Sequence, residues 1–417
     1  MHNEYKLFLK IFYYPIVLLP FFLITGPLLP DLIVTLSGLT FLAISIKNKN
    51  YVYFNNFFFK YFIFIYLFIS FLYFFYDEKN IYYLIKPLTM IRFLLFVAAL
   101  SYLIRYKKSF VDLLFKVIIF CYLGLFIDSI IQLSFDRNIF NYELSNTGRV
   151  SSFFKDELVL GSYVLRFFPI LISIIFYRNY IKKNLILSTS ILICSTLILL
   201  SGERTSLILF FIFITLFILI SSDFIKKKFI FLISIFLILF SVISLNSSFK
   251  TRFIDNVLFF LKGENSDKKL KIISDEHQGV FFSAYDIFLK NPIIGTGVNS
   301  FRRVCKNVTY NKNNKFFDKF KCSSHPHNIY LQLLSETGFL PFFMFISIFF
   351  YFIIKLFQIL IKKIDVKNYN LSLYISFIIT LFPLAPSGNM FNNWMNVMYF
   401  LPVAIYLGLN QNVNKKT

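Results

Sequence analysis

Two histidines flank a proline in the run Cys322-Ser323-Ser324-His325-Pro326-His327-Asn328-Ile329-Tyr330, and they are the residues best suited to moving a proton. The chain has only 4 histidines, so a pair this close is a concentration of the type. An imidazole that is neutral near pH 7 can take the proton of an attacking hydroxyl, which is the task of a general base. Pro326 presets the backbone for helix entry and turns His327 toward the first helical turn. An ordinary loop role and zinc binding by His325 and His327 stay open as alternatives. The i,i+2 spacing is not a same-face helical spacing and no third ligand is evident, so no metal site is expected.

The second chemical group is a set of arginines: Arg149, Arg166, Arg204, Arg302 and Arg303. A guanidinium matches phosphate oxygens as a two-pronged fork and stays charged at any relevant pH. Each one alone reads equally well as a snorkelling side chain or as a partner of Glu157 or Glu203. Together they suggest a ligand with clustered negative charge. Lys86, Arg92 and Asp128 are further ionisable groups set inside apolar stretches, where charge is costly and so marks candidate function.

The elements that must carry these groups are membrane spans. Hydrophobic residues make up 57% of the 417 positions and charged residues 15%, far fewer charges than a soluble chain carries. Apolar runs fall near 8–26, 28–46, 57–76, 85–104, 110–133, 157–177, 184–201, 205–221, 229–246, 339–360, 371–387 and 392–409. The pattern predicts an all-α polytopic membrane protein of about twelve transmembrane helices. A net charge of +22 raises the question of nucleic acid. Most of that charge instead sits in alternate short connections, including Lys47 and Lys49, Arg105 to Lys108, Lys226 to Lys228, and Lys415 and Lys416. Orientation in the membrane explains this, with both termini cytoplasmic and no nucleic-acid partner.

Residues 1–246 are then N-terminal transmembrane helices, 247–338 one long external loop, and 339–417 C-terminal transmembrane helices. In the loop, Phe253, Ile254, Val257, Leu258 and Leu261 share one face of a helix suited to the membrane interface. A second helix over 278–290 stops at Asn291-Pro292, followed by a turn at Gly295 and Gly297. A third runs from His327 to Gly338. Cys305 and Cys322 share this loop, which faces an oxidising compartment, while Cys121 and Cys194 fall within spans. A Cys305–Cys322 disulfide is predicted, closing the polar stretch Lys306 to Lys321 and contributing about 3 kcal/mol in the chain-entropy account.

These motifs, taken in order, resemble the O-antigen ligase and polymerase family of bacterial envelope glycosyltransferases. His327-Asn328, nine residues and Gly338 match its His-Asn pattern, with Pro341 standing where the family has Gly, Thr or Tyr. Asn291-Pro292-Ile-Ile-Gly295-Thr-Gly297 with Phe301-Arg302 resembles its turn before the loop arginine, and Ser201-Gly202-Glu203-Arg204-Thr205 its hinge. Asp128, Gln132, Gly148-Arg149 and Phe154 to Glu157 are similar to its first outer block, as is Ser387-Gly388 with Phe391 to Trp394 near the end.

The resemblance implies an inverting, metal-independent transfer of a glycan from undecaprenyl pyrophosphate at the periplasmic face of the inner membrane, with no cofactor. The acceptor is a hydroxyl of lipid A-core for a ligase, or of a second lipid-linked glycan for a polymerase; the ligase is favoured. His327 and Arg204 are implied to be catalytic, with Arg149, Arg166, Arg302, Arg303 and Asn328 binding substrate. A lipid-linked oligosaccharide flippase or other transporter is the rival, but the paired broken helices of an internal repeat are not evident in the sequence.

Overall fold

The computed structural model describes residues 3–145, 147–221, 250–251, 275–308, 320–362, 364 and 366–410. Among these the architecture is all-helical, and the only β pairing is an isolated bridge between Arg137 and Glu143. The helices before the long loop are α1 (Asn3–Val17), α2 (Leu19–Thr25), α3 (Leu28–Lys47), α4 (Phe57–Phe71), α5 (Tyr82–Tyr106), α6 (Ser109–Phe135), α7 (Leu160–Arg178), α8 (Lys183–Ser201) and α9 (Arg204–Ile220). The loop holds α10 (Asp275–Lys290), the single turn α11 (Phe301–Val304) and α12 (Ile329–Thr337). The chain then forms α13 (Phe339–Lys362), α14 (Asn368–Thr380) and α15 (Asn393–Asn410).

Seven of the described helices are long and apolar enough to cross a membrane, or eight if the bent pair α1–α2 is one span. That pair turns by 50°. Pro20, at the start of α2, has no N–H to continue the hydrogen-bond ladder, so the first apolar run is broken where a straight span is expected. A second departure is α14, which ends at Thr380 and does not run on to about 387. Pro383 and Pro386 cannot continue a helix. The expected span 229–246, the basic run at Lys226 to Lys228, the interfacial face from Phe253 to Leu261, and Lys415 and Lys416 lie outside the described residues.

Two helices form the centre of the bundle. In α5 and α7, 78% of the apolar window is buried, against 33% in α3, α4 and α13, which leave apolar faces outward. The α5 helix packs against α3, α4 and α15; α7 packs against α8 and α14. Small residues allow the α5–α15 approach: Ala98, Ala99 and Ser101 are buried, and the Ser101 hydroxyl donates to the Ala404 carbonyl at 3.1 Å.

The connection between α6 and α7 is held by buried polar groups. Asp128 is fully buried in α6, yet its carboxylate is satisfied by the Ser152 hydroxyl at 2.6 Å, the Asn138 amide at 3.2 Å and the Ile139 N–H at 3.1 Å. One turn later, Gln132 Oε1 accepts from Ser151 N and Ser152 N, and its Nε2 donates to the Tyr142 and Glu143 carbonyls. Asp128 therefore anchors the connection between α6 and α7. Asp128→Ala should strand these donors and cost about 1–3 kcal/mol. A lower melting temperature and faster proteolysis within 136–156 are expected; an unchanged melting temperature would show that the loop is held by other contacts.

Candidate active site

The long loop is organised by a close backbone contact. After α10 ends, residues 292–297 run along the C-terminus of α12. Thr296 N donates to the Ser335 carbonyl at 3.1 Å, Gly297 N to that of Glu336 at 2.8 Å, and Phe339 N to that of Pro292 at 2.9 Å. A Cβ on Gly295 would collide with the Glu336 backbone, and one on Gly338 with the Ile293 carbonyl. Both glycines also have positive φ, +70° and +81°, so side chains are excluded twice over.

The Glu336 carboxylate, fully buried, seals this contact. It accepts from Asn299 N at 2.9 Å, Phe301 N at 3.3 Å and Gln332 Nε2 at 3.0 Å. Burial pushes its carboxyl up to about 7, although these hydrogen bonds and the nearby Arg302 favour the charged form. Gln332 extends the network, donating to Asn389 at 3.1 Å and accepting from Met390 N at 2.9 Å. Neither residue is singled out in the sequence reading. The available signal is two polar residues one helical turn apart within the apolar α12.

The histidines sit at the other end of α12. Asn328 is the N-cap, its Oδ1 accepting from Tyr330 N at 3.0 Å and Leu331 N at 3.1 Å. Its Nδ2 donates to the Pro383 carbonyl at 2.7 Å, so the structure employs Asn328 in capping and anchoring. Ser387 stitches the same segment: its N–H donates to the His327 carbonyl, and its hydroxyl accepts from Ile329 N. His325 Nε2 donates to the Ser387 carbonyl at 3.3 Å, which leaves Nδ1 to accept from the Ser324 hydroxyl at 2.9 Å. His327, at φ +52°, has its Nε2 2.9 Å from the Ser323 hydroxyl. His277 of α10 joins them, its ring centroid 5.6 Å from that of His327, while His325 lies at 4.3 Å. Burial first, then the neighbouring His325 and His277, hold the His327 imidazole down to about 4. No group of three ligands suited to a metal ion occurs among the described residues.

Cys305 and Cys322 form a disulfide, with Cα atoms 5.3 Å apart. Cys305 is buried with Val280, Ala284, Ile287, Phe301 and Val308, so the bond fastens the segment entering the histidine run to α10 and α11. Residues 309–319, the middle of the stretch it closes, lie outside the described residues.

The arginines divide into two groups. Arg149 donates from Nε to the Ser201 carbonyl at 3.0 Å and from Nη2 to that of Leu158 at 3.1 Å. Arg204 opens α9 and lies within electrostatic reach of Arg149. Glu203 binds the start of α7, accepting from Gly161 N at 2.8 Å, Ser162 at 2.6 Å and Ser206 at 2.8 Å. Arg166, 9% exposed, lies over the Tyr399 ring at 5.3 Å. Its Nε and Nη1, and the Tyr399 hydroxyl, find no hydrogen-bond partner among the described residues. Tyr399 is also within electrostatic reach of Tyr330 in α12, which links the arginine side to the histidine side.

In the loop, Arg302 is exposed and forms no ion pair among the described residues. Arg303 is engaged elsewhere, with both prongs on Glu78 at 2.6 and 3.1 Å and a further bond to the Tyr83 hydroxyl. It thus ties α11 to the α4–α5 connection. That arrangement is the pairing alternative for an arginine, with Glu78 as the partner.

Residues 189–346 match the family model described as O-antigen ligase. That segment, under half of the chain, is similar to the O-antigen ligase family. No curated protein matches the chain. The matched segment spans the hinge with Arg204, the glycine turn with Arg302 and Arg303, the disulfide and the three loop histidines His277, His325 and His327. Arg149 and Arg166 lie before it in sequence.

Glu336 generates the test of this arrangement. Its carboxyl is raised by burial, so the folded state holds its proton more tightly than the unfolded chain. Stability from this group is therefore full below the unfolded value near 4.3 and declines as pH rises through about 7. Wild type should melt lower at pH 8 than at pH 5, by an amount corresponding to about 2–3 kcal/mol. Glu336→Gln should flatten that dependence, and an equal slope in both proteins would rule out this carboxyl as its source.

Proposed function

We propose that the chain is an inverting, metal-independent glycosyltransferase of hexosyltransferase type that moves a glycan from undecaprenyl pyrophosphate to a hydroxyl of lipid A-core. The observation that carries this reading is His327, a neutral imidazole inside the matched segment, held through Asn328 and Ser387 at the N-terminus of α12, the helix whose other end receives the glycine turn that leads to Arg302. On this reading about twelve helices cross the bacterial inner membrane, both termini are cytoplasmic, and residues 247–338 lie in the periplasm.

His327 takes the proton of the acceptor hydroxyl as its oxygen attacks the anomeric carbon. The bond from that carbon to the pyrophosphate breaks on the opposite side, which inverts the centre. A base with its conjugate acid near 4 is weak, so stabilising the departing pyrophosphate carries more of the acceleration. Arg204, Arg149 and Arg302 supply the positive charge, and Arg166 supplies a desolvated one at greater depth. A periplasmic site has no nucleotide sugar at hand, so the lipid pyrophosphate itself is the energy source.

The acceptor decides between ligase and polymerase. Lipopolysaccharide banding of a deletion strain should show core alone, with lipid-linked glycan accumulating; core plus a single repeat would identify a polymerase. His327→Ala should insert normally and lose transfer, with His325→Ala milder, and full activity of purified His327→Ala would remove the base. Arg204→Lys should lose most activity, because lysine keeps the charge without the fork.

The pH profile gives a further check. His327 must be unprotonated, so kcat/KM should stay level from pH 8 to 5 and fall as pH drops through about 4. Bound pyrophosphate favours the imidazolium, so the acid limb of kcat should lie at higher pH than that of kcat/KM. Coincident limbs would place the base away from the phosphates.

A further inference from the structure

Lys86 and Arg92 of α5 are charges within an apolar span that the proposed mechanism leaves unused. Asp31 and Thr35 of α3 and Asn393 of α15 stand around them. Asp31 spends both of its oxygens inside the cluster: Arg92 Nη2 pairs with Oδ1 at 2.7 Å, and Asn393 Nδ2 donates to Oδ2 at 3.3 Å. Arg92 Nη1 donates to the Thr35 hydroxyl at 3.2 Å, while its Nε finds no hydrogen-bond partner among the described residues. Lys86 Nζ donates to Asn393 Oδ1 at 3.5 Å and forms no ion pair among the described residues. Arg92 and Asp31 both lie within its electrostatic reach. Two positive charges therefore share one carboxylate, and the cluster carries one positive charge in excess. Its place is fixed, because a Cβ on Gly38 would come within 3.0 Å of Leu95 Cβ and Phe96 N, so α3 and α5 are in close contact beside Arg92. It is also open to an apolar surface: Leu32 and Leu36 of α3 and Ile85 and Leu88 of α5, next to these polar residues in sequence, are exposed. The Arg92 and Asp31 side chains keep 20% and 26% of their own exposure. An uncompensated charge beside hydrocarbon is costly, and an anionic lipid headgroup is the ligand that meets both the charge and the apolar rim. Asn393 ties the cluster to the histidine platform. Ser387 holds His327, and the six residues from there to Asn393 span at most about 20 Å.

We propose that Lys86, Arg92 and Asn393 form a phosphate site for the acceptor lipid, holding its headgroup at the membrane surface while its sugars extend to His327. This rests on the reading of the chain as a transferase between two lipid-borne substrates. The donor's pyrophosphate is bonded to the reacting carbon, so it belongs beside the base, with the arginines already assigned to it. Lipid A-core is built the other way round: its phosphates lie at the lipid end and its reacting hydroxyl on sugars beyond them. Its phosphate must then be held apart from the base, at a second basic site bordered by hydrocarbon. Lys86 supplies the point charge for a phosphate oxygen, and Arg92, held by Asp31 and Thr35, adds to the positive field. Asn393 orients both Lys86 and Asp31.

The experiment measures equilibrium binding of radiolabelled lipid A-core to the full chain in nanodiscs of zwitterionic phosphatidylcholine. Lys86→Gln keeps an amide donor for Asn393 and removes the charge. It should weaken binding about 10-fold and raise the acceptor KM by a similar factor, while the donor KM stays within about twofold of wild type. Lipid A-core stripped of its phosphates should bind wild type as weakly as the intact lipid binds Lys86→Gln, and the variant should not distinguish the two lipids. Equal binding of intact lipid A-core by wild type and Lys86→Gln would overturn the inference. So would a variant that binds the stripped lipid more weakly than wild type does, since the loss would not be one of phosphate. Nanodiscs containing phosphatidylglycerol and buffers containing inorganic phosphate test the other sources of the same chemistry, and an equal loss of lipid A-core binding at low concentrations of either would overturn the assignment to the acceptor. Binding is read without turnover, so a wild type that binds lipid A-core through Lys86 yet transfers nothing is a failure of the transferase reading alone.

Discussion

The platform of residues 292–301, α12 and residues 387–390 leans on one contact, the laying of the Gly295–Gly297 turn along the C-terminal end of α12. It is backbone against backbone, so side chains have no room there, and its polar groups must pair with one another in a setting that excludes water. Glu336 completes the pairing by taking the N–H groups of Asn299 and Phe301, the residues that lead into Arg302. The α12 helix is rigid and short, so fixing its C-terminus also fixes its N-terminus, where Asn328 and Ser387 hold the histidine run. The same network reaches residues 389 and 390 through Gln332, and so joins segments distant in sequence into one platform.

Beneath this platform the bundle tolerates charge where hydrocarbon would forbid it. Glu203 is satisfied by an N–H and two hydroxyls, and it sits within electrostatic reach of Arg149 and Arg166. Arg166 has the face of Tyr399 beside it, and its Nε and Nη1 find no hydrogen-bond partner among the described residues, a costly arrangement for a buried charge. On the proposed reading, this guanidinium is set before the donor binds, and its fixed geometry spares the reorganisation that water would need around a leaving phosphate.

The spans were legible where the apolar run was long and any proline fell within its first turns, as in α3, α5 and α13, or was absent, as in α6. They were misread at Pro20 and at Pro383 and Pro386, in the middle or at the end of an apolar run, because hydropathy windows average over a residue that interrupts the hydrogen-bond ladder: hence the bend between α1 and α2 and the early end of α14. In the loop, spacing alone marked the glycine turn and the histidine run, since both depend on local backbone demands. The positions of Arg303, Asn328 and Asp128 were not legible, because each depends on a partner remote in sequence or in another element. A formal charge in a sequence does not say whether it has been neutralised by Glu78 or by a ring of N–H donors. Glu336 and Gln332 were hidden for the same reason, as two unremarkable polar residues until the 292–301 segment is seen to close over them.

The backbone at His327 has a consequence of its own. A φ of +52° is a conformation that glycine adopts freely and that costs most side-chain-bearing residues about 1–2 kcal/mol. Folding stability alone would therefore favour glycine or asparagine at 327, and the imidazole is carried against that preference. The strain also restricts which way the ring can face, because a residue in this region has few rotamers compatible with its neighbours. A site built this way gives up some resilience of its loop to hold one side chain in a narrow range of directions. Local wear in this protein, whether by heat or denaturant, should begin at the turn that bears the histidine while the bundle below is still intact.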